Sequence, residues 1–134
     1  MAQGKLGEKP STVLFVDDEA PWLEAIKISV KGASFKIITA DSAEAALKAL
    51  QHNTPDLILS DIRMPVMNGF DLFEKVRKNP KLKKVPYVFM TSIDDFDAKR
   101  TAREIGADGY VEKPYDYDTV KSIVLELLMR FKKV

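Results

Sequence analysis

The chain has 134 residues, and its 21 basic and 20 acidic side chains are mixed along it for a net charge of +1. That length suits one domain with one core, burying roughly two thirds of the surface its unfolded form exposes, and the balanced charge gives no field drawing it to nucleic acid or to an anionic membrane. The absence of cysteine excludes disulfides, thiolate metal sites and cysteine nucleophiles and is compatible with a reducing compartment. No apolar stretch approaches the roughly 18 to 20 residues of a membrane span, and the opening residues lack the apolar centre of a signal peptide, so a soluble, cytoplasmic protein is expected.

Residues 1–11 are polar, rich in Gly and Pro, and read as a flexible lead-in; 12–132 read as one domain and 133–134 as the C-terminal end. A first strand is predicted at Thr12 to Val16, apolar on consecutive positions, as a strand covered on both faces should be. It runs straight into Asp17-Asp18, and Trp22 follows on the first helix, where packing is the simple reading. A second strand is placed at Phe35 to Thr39. Asp41-Ser42-Ala43-Glu44 has the form of a capping box, with Ala43, Ala46, Leu47 and Leu50 as the buried stripe of the helix it starts. His52, the single histidine, falls at the end of that helix and reads as solvated.

The third strand, Leu57 to Ser60, again lacks alternation and ends at Asp61. Asn68-Gly69 marks a turn, after which Phe70, Phe73 and Val76 recur at helical spacing until Asn79-Pro80 stops the helix. Arg77, Lys78, Lys81, Lys83 and Lys84 form a basic run, but without the aromatic or glycine-rich frame of a nucleic-acid binder it reads as a solvated loop. A fourth strand at Tyr87 to Met90 ends at Thr91, and a fifth at Asp108 to Glu112 ends at Lys113-Pro114. Val120, Ile123, Val124, Leu127, Leu128 and Phe131 follow the i, i+3, i+4, i+7 rule of a final amphipathic helix.

Strands alternating with helices imply an α/β fold, a doubly wound parallel sheet with right-handed crossovers and helices on both faces. In such a sheet ligands bind beyond the carboxyl ends of the strands, where the strand order reverses. Asp17, Asp18, Asp61, Thr91 and Lys113 each stand at a strand end, so one edge of the sheet would gather them all. Three carboxylates brought together repel, and a bound divalent cation removes that cost. All-oxygen ligation with no cysteine and one histidine points to Mg²⁺ or Mn²⁺ over zinc or copper.

Three motifs together are specific: Asp17-Asp18 after an apolar strand, Asp61-Ile62-Arg63-Met64-Pro65-Val66-Met67-Asn68-Gly69 with its turn residues at fixed offsets from one acid, and Lys113-Pro114 after Gly106-Ala107-Asp108-Gly109-Tyr110-Val111-Glu112. Over roughly residues 12–132 the chain resembles the receiver domain of two-component response regulators. The resemblance implies a five-stranded, flavodoxin-like sheet of order 2-1-3-4-5, as in chemotaxis receivers. It implies that Asp61 is the phosphoacceptor for a sensor histidine kinase or a phosphotransfer protein. It also implies that Asp18, Asp61 and the backbone carbonyl of Arg63 bind Mg²⁺ directly, with Asp17 acting mostly through water. Thr91 and Lys113 would bind phosphoryl oxygens, Ser92 would be the small residue after the Thr, and a cis Lys113–Pro114 peptide would aim the lysine. Thr91 and Tyr110 would be the switch pair, read out through the helix after Ile93, the strand around Tyr110 and the last helix.

By the same resemblance Arg63 and Ile93 flank the path of the water that removes the phosphoryl group, and an apolar Ile93 cannot orient it, so slow self-dephosphorylation is expected. Leu125 and Met129, four apart and off the main stripe of the last helix, could share an exposed face with Val111 for a homodimer or an output domain. The implied protein is a phosphorylation-activated switch that assists its own phosphorylation and dephosphorylation, with neither nucleic acid nor membrane as a direct partner. Two rivals remain. A haloacid-dehalogenase-type phosphatase would need a second Asp two residues after the nucleophile, where Arg63 stands and cannot release its proton. A phosphate-independent binding module would be expected to lack one of the acids, the Thr or the Lys.

Overall fold

The computed structural model describes residues 10–113, 116 and 119–131. Most of the lead-in, the peptide joining Lys113 to Pro114 and the C-terminal 133–134 lie outside the described residues. In chain order the elements are β1 (Thr12–Val16), α1 (Ala20–Ser29), β2 (Lys36–Ala40), α2 (Ala43–Leu50), β3 (Leu57–Asp61), α3 (Gly69–Lys78), β4 (Tyr87–Thr91), α4 (Phe96–Glu104), β5 (Gly109–Glu112) and α5 (Val120–Arg130). The five strands form one parallel sheet in the order β2-β1-β3-β4-β5, the flavodoxin-like arrangement expected above.

Two apolar layers explain the unbroken strand patterns. Leu14, Val16, Ile58, Tyr87 and Phe89 face one side, where Ala43, Ala46 and Leu50 of α2, Leu72, Phe73 and Val76 of α3, and Ala98 and Ala102 of α4 cover them. Val13, Phe15, Leu57, Leu59, Val88 and Met90 face the other side, under Trp22, Leu23 and Ile26 of α1 and Val120, Val124, Leu127 and Leu128 of α5. Because side chains alternate across a strand, burial on both sides demands apolar residues at consecutive positions. β1, β3 and β4 are accordingly buried almost throughout, while the edge strands β2 and β5 are only partly covered.

The strand ends differ from the sequence expectation in a way that matters. Asp61 and Thr91 belong to their strands: Asp61 pairs with Met90, and Thr91 with Glu112. Both chemical groups are therefore carried on hydrogen-bonded backbone instead of on a loop.

Helix starts also differ in one place. The cap of α2 is Ser42, whose side chain accepts the Ala45 N–H at 3.0 Å. This moves the third helical position to Ala45, which has no side chain to reach back, so the reciprocal box expected at Asp41 to Glu44 is replaced by a one-sided cap. A full box forms at α3, where Asn68 accepts the Asp71 N–H and Asp71 accepts the Asn68 N–H.

The α3 start is the tightest point of the fold. A Cβ on Gly69 would lie 2.2 Å from the backbone oxygen of Asp61, far inside contact distance. The Gly69 N–H donates to the Ile62 carbonyl at 2.9 Å, closing the loop back on the strand it left. Between them Val66 takes φ 69° inside a turn closed by the Met67 N–H to the Pro65 carbonyl at 2.8 Å, a γ-turn geometry strained for a β-branched residue. Gly69→Ala is expected to lower the stability by about 2–3 kcal/mol or more, because backbone must move to admit the methyl group; urea unfolding measures it, and an unchanged midpoint would contradict the close approach.

Candidate functional site

Parallel pairing with Val16 opposite Ser60 sets the residues that follow β1 beside the end of β3, so Asp17 and Asp61 meet at the point where the strand order reverses. Both residues are almost covered, Asp17 at 3% and Asp61 at 9% exposure. Asp17 Oδ1 accepts the Glu19 N–H, and Asp61 Oδ1 accepts the Ile62 N–H, each at 2.9 Å. Lys113 arrives from the end of β5, its own N–H held by the Thr91 carbonyl at 2.9 Å. Its Nζ lies 2.6 Å from Asp17 Oδ2, 2.8 Å from Glu19 Oε1 and 3.5 Å from Asp61 Oδ2. The Trp22 ring sits beneath the same ammonium, 5.6 Å from its centroid, so this residue both packs the first helix and faces the lysine.

The electrostatics follow from burial. Desolvation pushes Asp61 up to about 6, with the Asp17 charge adding to it and Lys113 and the Ile62 N–H opposing. Asp17 is raised as well, again chiefly by burial and against its hydrogen bond to Lys113. Burial works against the Lys113 charge, but the hydrogen bonds to Asp17 and Glu19 and the charge of Asp61 outweigh it and hold the ammonium above the usual lysine range.

The structure thus brings together Asp17, Asp61 and Lys113, with Thr91 buried at the next strand end. Asp18 differs: its side chain is exposed, although its charge contributes to the rise of Asp61. The trio of carboxylate oxygens lying within 4.8 Å of one another is Asp17, Glu19 and Asp61. Glu19 was not singled out from the sequence; its place directly after the acidic pair was the available signal. The donor set is all carboxylate oxygen, partly desolvated and only partly offset by the Lys113 ammonium, which fits a hard divalent cation.

Arg63 continues from this loop, and its guanidinium grips Asp95 with two hydrogen bonds, Nε to Oδ2 at 2.8 Å and Nη2 to Oδ1 at 3.0 Å. Asp95 is the cap of α4, accepting the Ala98 N–H at 3.2 Å. Lys99 Nζ donates to the Ile93 carbonyl at 2.9 Å and to Glu112 at 2.7 Å. Arg103 donates to the half-buried Tyr110 hydroxyl at 2.6 Å and lies over its ring. His52 is exposed. In the basic run Arg77 is structural, stacked on Phe73 and bound to Val85 and Asp108, while Lys78, Lys81, Lys83 and Lys84 face solvent. Met129 is exposed at 69%, whereas Leu125 and Val111 are partly covered by the α1–α5 layer. Among the described residues no helix is long and apolar enough to cross a membrane.

Because the folded-state pKa of Asp61 lies above the ordinary 3.8, the folded chain keeps a proton that the unfolded chain releases. Without divalent cations, stability should fall as pH rises from about 4 through about 6. Asp61→Asn cannot ionise there and is expected to flatten that fall and to gain roughly 1–3 kcal/mol at pH 7. Urea unfolding at pH 4.5 and 7 with a chelator decides it, parallel behaviour of the two proteins being the contrary result.

Comparison with known proteins agrees with this geometry. The family model described as response regulator receiver domain matches residues 13–125. Response regulator Rre1 of Synechocystis is 32% identical over 123 residues, covering 91% of this chain and 53% of that protein. Histidine kinase P4 of Formosa agariphila is 35% identical over 128 residues, covering 93% of this chain and 9% of the kinase. The chain thus spans about half the length of the first and under a tenth of the second. Chemotaxis response regulator CheY4 of Vibrio cholerae superposes with a TM-score of 0.76 at 29% identity, over 92% of this chain and 99% of that one. With five strands in the 2-1-3-4-5 order and a match running from β1 into α5, the chain belongs to the response regulator receiver domain family.

Proposed function

We propose that this domain is the phosphoacceptor of a two-component pathway, taking a phosphoryl group onto Asp61 from the phosphohistidine of a sensor histidine kinase or phosphotransfer protein. The observation that carries the reading is the buried Asp61 carboxylate with Lys113 Nζ 3.5 Å from one oxygen. Phosphoryl transfer asks the protein for an in-line nucleophile and positive charge around the equatorial oxygens. An Asp61 oxygen attacks phosphorus, the bond to the donor nitrogen breaks, and its electron pair leaves with the imidazole. Lys113, already held by Asp17 and Glu19, stands where a phosphoryl oxygen would replace part of its carboxylate company. The Thr91 hydroxyl, at the adjacent strand end, accounts for another oxygen.

Asp17, Asp18, Asp61 and the Arg63 carbonyl, with Glu19 beside them, are the groups that would hold Mg²⁺, or Mn²⁺ in its place; bound there it would offset the charge of phosphoryl group and carboxylates. Arg63 is committed to Asp95, which supports a switch over the phosphatase rival that would need an acid at that position. Output would pass through α4, β5 and α5. The Thr91 hydroxyl would move to the phosphoryl group and Tyr110 would turn inward to fill the space left behind, since a new charge shifts an equilibrium only through contacts that differ between the states. A dimer or an output domain docking on α5 near Met129 belongs to the same proposal.

Incubation with acetyl phosphate and Mg²⁺ should add one phosphoryl mass to the intact protein, lost in Asp61→Asn and with a chelator. Absence of the adduct where another receiver is labelled would move the reading to a phosphate-independent binding module. Ile93 is 44% exposed and apolar, so the phosphorylated form should persist for about an hour and Ile93→Glu should shorten it by roughly tenfold or more. A lifetime of seconds in the unaltered protein would contradict this.

A further inference from the structure

We infer that the buried Tyr87 hydroxyl is a positioning group for Asp61, acting through three consecutive hydrogen bonds; the inference rests on the phosphoacceptor role proposed for Asp61. Tyr87 opens β4 and is fully buried. Its hydroxyl donates to the Gly69 carbonyl at 2.9 Å. The Gly69 N–H donates to the Ile62 carbonyl at 2.9 Å, and the Ile62 N–H donates to Asp61 Oδ1 at 2.9 Å. A line of bonds thus runs from the phenol across the α3 start to the carboxylate.

A second contact reinforces it. The missing side chain of Gly69 lets its backbone press against the Asp61 carbonyl, which also accepts the Ser60 hydroxyl at 2.8 Å. Ser60 is itself fully buried and interacts with the phenol. Asp61 is therefore held from its carbonyl and from Oδ1, which leaves Oδ2 presented to Lys113.

The hydroxyl is not needed to fill space. The ring already packs edge-on against Phe73 and Phe89, with centroids 5.2 and 5.1 Å away, and a phenylalanine would fit the same slot. A buried hydroxyl is desolvated at a cost that only its hydrogen bond offsets, so its distinctive effect is to fix the Gly69 carbonyl. A misplacement of about 1 Å caused by a change away from the chemistry can cost on the order of 100-fold, and partners outside the ligand shell of metal sites commonly account for about 10- to 100-fold.

The test is Tyr87→Phe, with Phe73→Leu as the control that disturbs the same ring cluster and leaves the hydroxyl. Both are assayed as full chains at temperatures where urea unfolding shows them folded. Tyr87→Phe should lower the second-order rate constant for labelling by acetyl phosphate and Mg²⁺ roughly tenfold. It should also move the Ile62 and Gly69 amide proton resonances upfield and speed their exchange, with β2 and α5 amides unchanged. Phe73→Leu should label at nearly the unaltered rate. Labelling of Tyr87→Phe at the unaltered rate, equal slowing in the control, or unmoved Ile62 and Gly69 amides would each overturn the inference. Failure of the unaltered protein to label would instead refute the phosphoacceptor reading, and the amides would still report whether the line of bonds exists.

Discussion

Everything at the carboxyl edge of this sheet depends on one ammonium shared among carboxylates that burial would otherwise leave uncompensated. Asp17 and Asp61 are almost fully covered, and each is raised by desolvation. Lys113 meets both and Glu19 as well, so among the described residues the cluster keeps a surplus of negative charge around one cation. Such a site is short of positive charge by construction of the fold: parallel pairing delivers the acids from β1 and β3 to one point, and the β4–β5 ladder delivers the lysine. A hard divalent cation is what that imbalance favours.

The contacts between this edge of the sheet and α4 are polar and not deeply packed. α4 buries only Ala98 and Ala102, whereas α3 buries Leu72, Phe73 and Val76 and α5 buries four large or branched residues. What holds α4 is a set of ion pairs and hydrogen bonds: Arg63 to its cap Asp95, Lys99 to Glu112 and the Ile93 carbonyl, Arg103 to Tyr110. Partly exposed pairs of this kind contribute up to about 1 kcal/mol each. α4 is thus anchored by small, exchangeable terms where α3 and α5 are anchored by packing.

The loop between Asp61 and α3 has the opposite character. Its capping box, its γ-turn through Val66, the close approach of Gly69 and the Tyr87 hydroxyl all determine the same few backbone positions. Strain at Val66 persists because the surrounding bonds over-determine the path. The loop and α4 therefore contrast: the first fixes the backbone that carries Asp61, whereas the second is held by exchangeable polar contacts.

The sequence by itself determined the α/β class, the five strands and the gathering of Asp17, Asp61, Thr91 and Lys113 at one edge of the sheet, because apolar runs at consecutive positions and turn residues at fixed offsets are local consequences of burial and backbone sterics, although it ended β3 and β4 one residue early. It also placed a turn at Asn68-Gly69 before α3, while the capping box with Asp71 and the close approach that requires glycine emerged only in the structure. It misplaced the α2 cap by one residue, since Asp41 and Ser42 are both good caps and only the path out of β2 selects between them. Tertiary structure alone decided that Glu19 joins Lys113 across 94 positions, that Arg63 reaches Asp95 across 32, and that Tyr87 holds Gly69 across 18. Those pairings depend on strand order and register, which place distant residues side by side, and no local periodicity encodes which side chains will then be within a hydrogen bond of one another.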